Sequence, residues 1–77
     1  MLSAYVLIQT EVGKVAHVAH ALSDLDGVLL AEDITGPHDI IARVQASGLD
    51  QLGRLVACRI QAVDGVTRTL TCTVIHR

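Results

Sequence analysis

An α+β fold of order βαββαβ is the reading this 77-residue sequence supports, and three observations carry it. The chain has two similar halves, with Leu25-Asp26-Gly27-Val28 in the first echoed by Val63-Asp64-Gly65-Val66 in the second. Each Asp-Gly closes a segment of helical periodicity and opens a β-rich run. Between the halves, Thr35-Gly36-Pro37-His38 is too short for a crossover and carries a Gly-Pro turn signal, so it joins neighbouring strands as a hairpin.

The elements follow in order. The first strand is placed over residues 4–10. The first helix carries Val15, Val18, Ala19, Leu22 and Leu25, an i, i+3, i+4, i+7, i+10 stripe. Gly27 ends it, because a glycine takes positive φ without a steric penalty. Strands two and three fall at 28–33 and 39–46. The second helix carries Leu49, Leu52, Leu55, Val56 and Ile60, and Val63 takes the stripe into the turn at Gly65. Ser47-Gly48-Leu49-Asp50 reads as a capping-box variant, with Ser47 as N-cap and Asp50 near the positive helix end. The fourth strand is placed at 66–75. Two right-handed βαβ crossovers sharing one sheet give the ferredoxin-like arrangement, a four-stranded antiparallel sheet with both helices on one face. The whole chain, 1–77, forms this single domain.

Composition narrows the function. At 51% hydrophobic the chain is too apolar for a disordered tail, and with Tyr5 as its one aromatic the core must be aliphatic. Six Lys+Arg against eight Asp+Glu give a net charge of −2, which leaves no basic face for a phosphate backbone, so direct nucleic-acid binding is not expected. Cys58 and Cys72 form no CxxC, which argues against a disulfide-dense scaffold and the common zinc spacings. Reduced, buried cysteines are expected, with a Cys58–Cys72 bridge left open. The start of the chain lacks a basic region, and Gln9-Thr10-Glu11 cuts its apolar run short, unlike a signal peptide. No apolar run approaches the ~18 residues of a membrane span. A cytoplasmic protein without membrane contact is expected.

Helices cover only one face of such a sheet, so its strands should alternate apolar and polar. Tyr5-Val6-Leu7-Ile8, Val28-Leu29-Leu30-Ala31 and Ile40-Ile41-Ala42 are apolar on both faces instead. The open face calls for a cover, and a second copy of the same sheet is the simplest one, giving an isologous homodimer. Small size argues the same way. In the last strand Val66, Arg68, Leu70, Cys72 and Val74 fall on one side, and Thr67, Thr69, Thr71 and Thr73 on the other, four of the chain's six threonines. If Leu70, Cys72 and Val74 face the helices, the hydroxyls line the opposite face. The pattern alone favours threonine as a strand former on half-wet surface. The functional reading is a row of donors and acceptors for a small polar ligand.

Candidate chemistry is sparse. His17 and His20 lie three apart on the first helix with no third ligand at metal spacing, so neither metal nor cofactor is expected. Adjacent strand residues point to opposite faces, so His38 and Asp39 make a poor acid–base pair. No Ser–His–Asp order or phosphate loop appears, and nothing supports an enzyme. Asp39 is a lone carboxylate at the mouth of an apolar strand. It either ends the turn by accepting backbone N–H groups or engages the ammonium of a zwitterion.

Taken together, Thr10-Glu11-Val12-Gly13, Leu25-Asp26-Gly27-Val28, Thr35-Gly36-Pro37-His38-Asp39-Ile40-Ile41, Val63-Asp64-Gly65-Val66 and Arg68-Thr69-Leu70-Thr71 resemble the effector-binding domain of the Lrp/AsnC, or feast/famine, transcription regulators. That domain is also called RAM, for regulation of amino-acid metabolism. The resemblance spans essentially the whole chain. It implies a ferredoxin-like fold, homodimers through sheet faces, assembly into octamers or other rings, and an amino-acid effector bound between dimers. The ligand-binding residues it implies are Gly36, His38, Asp39, Thr69 and Thr71. Two features depart from the family pattern. The position before Asp39, usually aromatic in the family, is His38 here and follows Pro37. Full-length members carry an N-terminal helix-turn-helix, whereas this chain opens on its first strand, so it looks like a stand-alone version to which DNA binding is not carried over.

The function this implies is a non-enzymatic amino-acid-sensing module, acting alone or modulating a full-length Lrp/AsnC regulator. The alternative is a small dimeric α+β-barrel enzyme, monooxygenase- or isomerase-like, with a pocket between helices and sheet lined by aromatics and a histidine. One aromatic and no histidine at a predicted core position fit it poorly. A third possibility, an ACT-like amino-acid domain, shares the element order but pairs differently.

Overall fold

The computed structural model describes residues 1–76. Its elements are β1 (Leu2–Thr10), α1 (Val15–Ser23), β2 (Val28–Asp33), β3 (Ile40–Ala46), α2 (Leu49–Arg54) running on into a π-helical segment (Leu55–Ile60), and β4 (Val66–Thr73). The strands form one antiparallel sheet in the order β2-β3-β1-β4. This is the ferredoxin-like arrangement. Ala4, Val6 and Ile8 of β1 and Ile40, Ala42, Val44 and Ala46 of β3 turn to the helices, where Val18, Leu22, Leu52, Leu55 and Ile60 close the core. No described helix is long and apolar enough to cross a membrane.

The helices end at Asp24 and Gln61, before the Asp-Gly pairs, which instead turn the chain into the next strand and lock the two crossovers together. Gly27 and Gly65 take φ of 93° and 99°. The carbonyl of Gly65 accepts the Glu11 N–H at 2.8 Å, and that of Gly27 accepts the Gln45 N–H, also at 2.8 Å. Each glycine therefore sits against the strand end that launches the other helix. A Cβ on Gly27 would lie 3.0 Å from the Gln45 carbonyl oxygen, and one on Gly65 would lie 2.9 Å from Cβ of Lys14. No side chain fits at either place.

The second helix differs from expectation at both ends. Its N-cap is Gly48, without a side-chain cap, rather than Ser47. The extended backbone of Gly48 starts the helix one residue later and leaves the Ser47 hydroxyl outside it. Gln51 instead reaches back and accepts the N–H of Ser47, the residue before the cap. From Leu55 the helix widens, and the Gln61 N–H bonds the Val56 carbonyl at 2.9 Å, five residues back. This π turn keeps Leu55 and Ile60, five apart and both in the expected apolar stripe, in one core.

The fourth strand turns the other way round from the expected orientation. Thr69, Thr71 and Thr73 stand opposite Ile8, Val6 and Ala4, which places the threonines on the helix side. Leu70 and Cys72 stand opposite Leu7 and Tyr5, on the open face. The reason is position in the sheet. β4 is an edge strand whose helix-side surface is half-buried only at Val66 and Thr69, while its other side extends the apolar open face. Both cysteines are free and exposed, against the expectation of burial: Cys72 follows the open face and Cys58 the outside of the π segment. In β2, Leu29 is the extra residue of a bulge between the Val28–Val44 and Leu30–Arg43 pairs, which leaves both leucines about half exposed.

The open face thus carries Tyr5 and Leu7 of β1, Ile41 of β3, Leu30 of β2, and Leu70 and Cys72 of β4. Arg43 sits among them, opposite Tyr5 and Leu30. Its Nη1 donates to the Tyr5 hydroxyl at 2.8 Å, and its guanidinium carbon lies 5.4 Å from the centre of the Tyr5 ring.

Two glycine substitutions separate packing from propensity. Gly65→Ala meets both a positive φ and a close contact, and should lower stability by roughly 1–3 kcal/mol in urea unfolding. Gly53→Ala, in α2 with open space around it, should raise stability by up to about 1 kcal/mol at the same protein concentration.

Candidate functional site

The β2–β3 hairpin is tied to the end of β1. The Ile34 N–H donates to the Asp39 carbonyl, and the Asp39 N–H to the Ile8 carbonyl, both at 2.9 Å. The Gln9 side-chain amide donates to the Pro37 carbonyl at 2.9 Å. Oδ2 of Asp39 accepts the Thr10 N–H at 2.8 Å and the Thr10 hydroxyl at 3.3 Å. The carboxylate therefore does the structural work of ending β1. Its Oδ1 makes no hydrogen bond within the described residues, so one acceptor remains beside the first. Gly36 takes a φ of 132° with open space around it, so its demand is conformational rather than spatial. His38 is half-buried.

On the other side of β1, Thr69 is half-buried and its hydroxyl accepts the Gln61 side-chain amide at 2.8 Å. With Gln61, Val66, Thr67 and Arg68 it lines a cavity of about 400 Å³. Thr71 is exposed opposite Val6. Ile8 lies between the two groups, paired with Ile40 on one side and Thr69 on the other. No hydrogen bond among the described residues joins Gly36, His38 or Asp39 to Thr69 or Thr71, and the cavity at Thr69 does not include the hairpin. The chain holds the five residues as two separate groups, one on each side of β1.

Sequence reasoning missed Thr10 and Gln61, the partners of Asp39 and Thr69. The ending of β1 at Thr10, next to the hairpin in any such sheet, was the available signal for the first. Nothing in the local pattern marks the second. His17 and His20 are both exposed, and no group of three His, Cys, Asp or Glu among the described residues is placed to hold a metal. A larger cavity, of about 850 Å³, opens at the opposite end of the sheet between the ends of β3 and the second helix.

With this fold in place, the family model of the Lrp/AsnC ligand binding domain matches residues 3–77. The chain belongs to the Lrp/AsnC ligand-binding domain family. An uncharacterised HTH-type transcriptional regulator of Pyrococcus abyssi is 32% identical over 68 residues, which are 88% of this chain and 43% of that protein. The domain thus spans under half the length of the curated relatives it matches. A solved Thermus thermophilus protein superposes with a TM-score of 0.94 at 30% identity, covering 100% of this chain and 96% of that one. A transcriptional regulator of Neisseria meningitidis, solved as its L-Met complex, shares the fold at a TM-score of 0.86 and 17% identity, over 97% of this chain and 50% of that one.

The bonds between Asp39 and Thr10 give a stability test. Asp39→Ala removes the acceptor of the Thr10 N–H and should cost roughly 1–3 kcal/mol in denaturant unfolding. Asp39→Asn keeps a side-chain oxygen for that bond and should cost clearly less.

Proposed function

We propose that this domain is a non-enzymatic amino-acid sensor that pairs through its open sheet face and binds its effector where two such dimers meet. The observation that carries this reading is the hairpin carboxylate. Thr10 fixes one oxygen of Asp39 in place, and the other is left as an acceptor at the edge of the subunit. An α-amino acid presents an ammonium and a carboxylate, so its site needs an acceptor and several donors. Asp39 supplies the acceptor. The backbone near Gly36, the His38 ring and the hydroxyls of Thr69 and Thr71 supply donors. These groups stand apart within one subunit, and a neighbouring subunit that closes over them fits the ring assemblies the family resemblance implies. The L-Met complex of the Neisseria regulator supports the ligand class.

Sheet-face pairing is supported by the apolar row of Ile41, Leu7 and Leu70, with Leu30 on the same face opposite Arg43. The HTH-type Pyrococcus relatives, longer than this chain, suggest the partner: a full-length regulator whose own ligand-binding domain offers an equivalent face. The barrel-enzyme alternative gains nothing from the fold, because Tyr5 lies on the open face and no histidine is buried among the described residues.

A thermal-shift screen of the twenty amino acids tests this directly, since a ligand at 100 times its Kd adds about 2.7 kcal/mol of stability. At least one amino acid should raise the melting temperature. Asp39→Asn should then weaken its binding by roughly ten- to a hundredfold in titration calorimetry, the loss expected for a hydrogen bond to a charged group. If no amino acid shifts the wild type, the sensing reading fails. If the variant binds as tightly as the wild type, Asp39 is a turn residue only.

A further inference from the structure

The two halves of the chain build equivalent corners, and the corners differ in a way that points to a second ligand site. Where β4 begins, at Gly65, the corner is filled. Lys14 and Val18 pack against the glycine, and Lys14 Nζ meets Asp64 Oδ2 at 3.2 Å. Where β2 begins, at Gly27, Leu55 packs against the glycine in the place of Val18, but the equivalent aspartate, Asp26, has no cation within 4.0 Å among the described residues. Beside it opens the cavity of about 850 Å³, and Arg54 and Arg59 line it together with Asp26. Neither arginine forms an ion pair among the described residues.

The π turn explains how both arginines reach one cavity. At 3.6 residues per turn, residues five apart on an α-helix point roughly 140° away from each other. The i→i+5 bonding of a π turn instead brings residues five apart nearly into line. Arg54 is the residue from which the π segment departs and Arg59 lies within it. A regular α-helix would have sent one of them elsewhere. Gln45 and Ser47 add polar groups to the lining, and Leu29 and Leu55 add apolar wall. A guanidinium matches a carboxylate with two parallel N–H bonds, so two of them on one rim suit an anion with two acidic groups.

We propose that this corner is a binding site for a small dicarboxylate, held by Arg54 and Arg59 over the apolar wall. It is separate from the effector site proposed above. Gln45 lies six residues along β3 from Asp39, roughly 20 Å of extended chain. Neither reading depends on the other.

The test is an NMR titration of the isotope-labelled full chain with succinate, against sodium chloride at matched ionic strength. Saturable shifts at the side-chain N–H signals of Arg54 and Arg59 and at the Gln45 amide are expected, with the Asp39 and Thr69 signals unmoved. Arg54→Gln should weaken binding by roughly tenfold or more, and Arg54→Gln with Arg59→Gln should abolish saturation without changing the dispersion of the spectrum. Three results would overturn the proposal: shifts that sodium chloride reproduces, shifts spread over the whole surface, or unchanged binding by the double variant. Saturation by inorganic phosphate with none by succinate would also overturn the dicarboxylate assignment.

Discussion

Two helices cover one face of a sheet whose strands are apolar on both faces, and most of this structure follows from that mismatch. The covered face takes Ala4, Val6 and Ile8 with the alternate residues of β3, and it is complete without aromatic side chains. The uncovered face keeps Leu7, Ile41, Leu30 and Leu70 in a continuous patch across all four strands. Arg43 shows how a charge is kept there: the Tyr5 hydroxyl takes one of its N–H groups and the ring takes its cationic face. A patch of this kind on a small domain calls for a partner. It also orders the fourth strand, which lends Leu70 to the patch and turns Thr69 toward the end of the second helix, where Gln61 donates to its hydroxyl.

Much of the fold was legible because the signals were doubled. The Asp-Gly repeat marks the turn from each helix into the next strand, and the same glycines accept an N–H from the opposite crossover, so one sequence feature reports both a local turn and a long-range contact. The aliphatic stripe of α1 is buried as its spacing says, with Val18 and Leu22 inside. What escaped was set by tertiary context. The orientation of β4 could not be read from an alternation of threonine with apolar residues, since both sides of that strand have plausible neighbours. The π turn leaves little trace in the sequence beyond the five-residue step from Leu55 to Ile60. The Ser47 cap gave way to Gly48 because backbone extension, which composition does not report, decides where a helix begins.

The candidate site was legible in part, and for a related reason. Residue types at Gly36, His38, Asp39, Thr69 and Thr71 mark it, but their partners come from elsewhere in the chain. Thr10 occupies the carboxylate of Asp39, and Gln61 occupies the hydroxyl of Thr69. Of the two meanings weighed for Asp39 from sequence, the turn-ending one is seen in the bonds of one oxygen to Thr10, and the other oxygen makes no hydrogen bond among the described residues. The second corner, at Arg54 and Arg59, was invisible to a reading that assumed a regular helix. A domain built by near-repetition has two such corners, and the one left unfilled is where the halves have diverged.

The claim on which the rest leans is that the open sheet face is covered by another copy of the chain. Static light scattering of the purified protein at micromolar concentration measures this most directly. The account predicts a mass that is an even multiple of the 8.2 kDa subunit. A folded, monodisperse species at 8.2 kDa would contradict it.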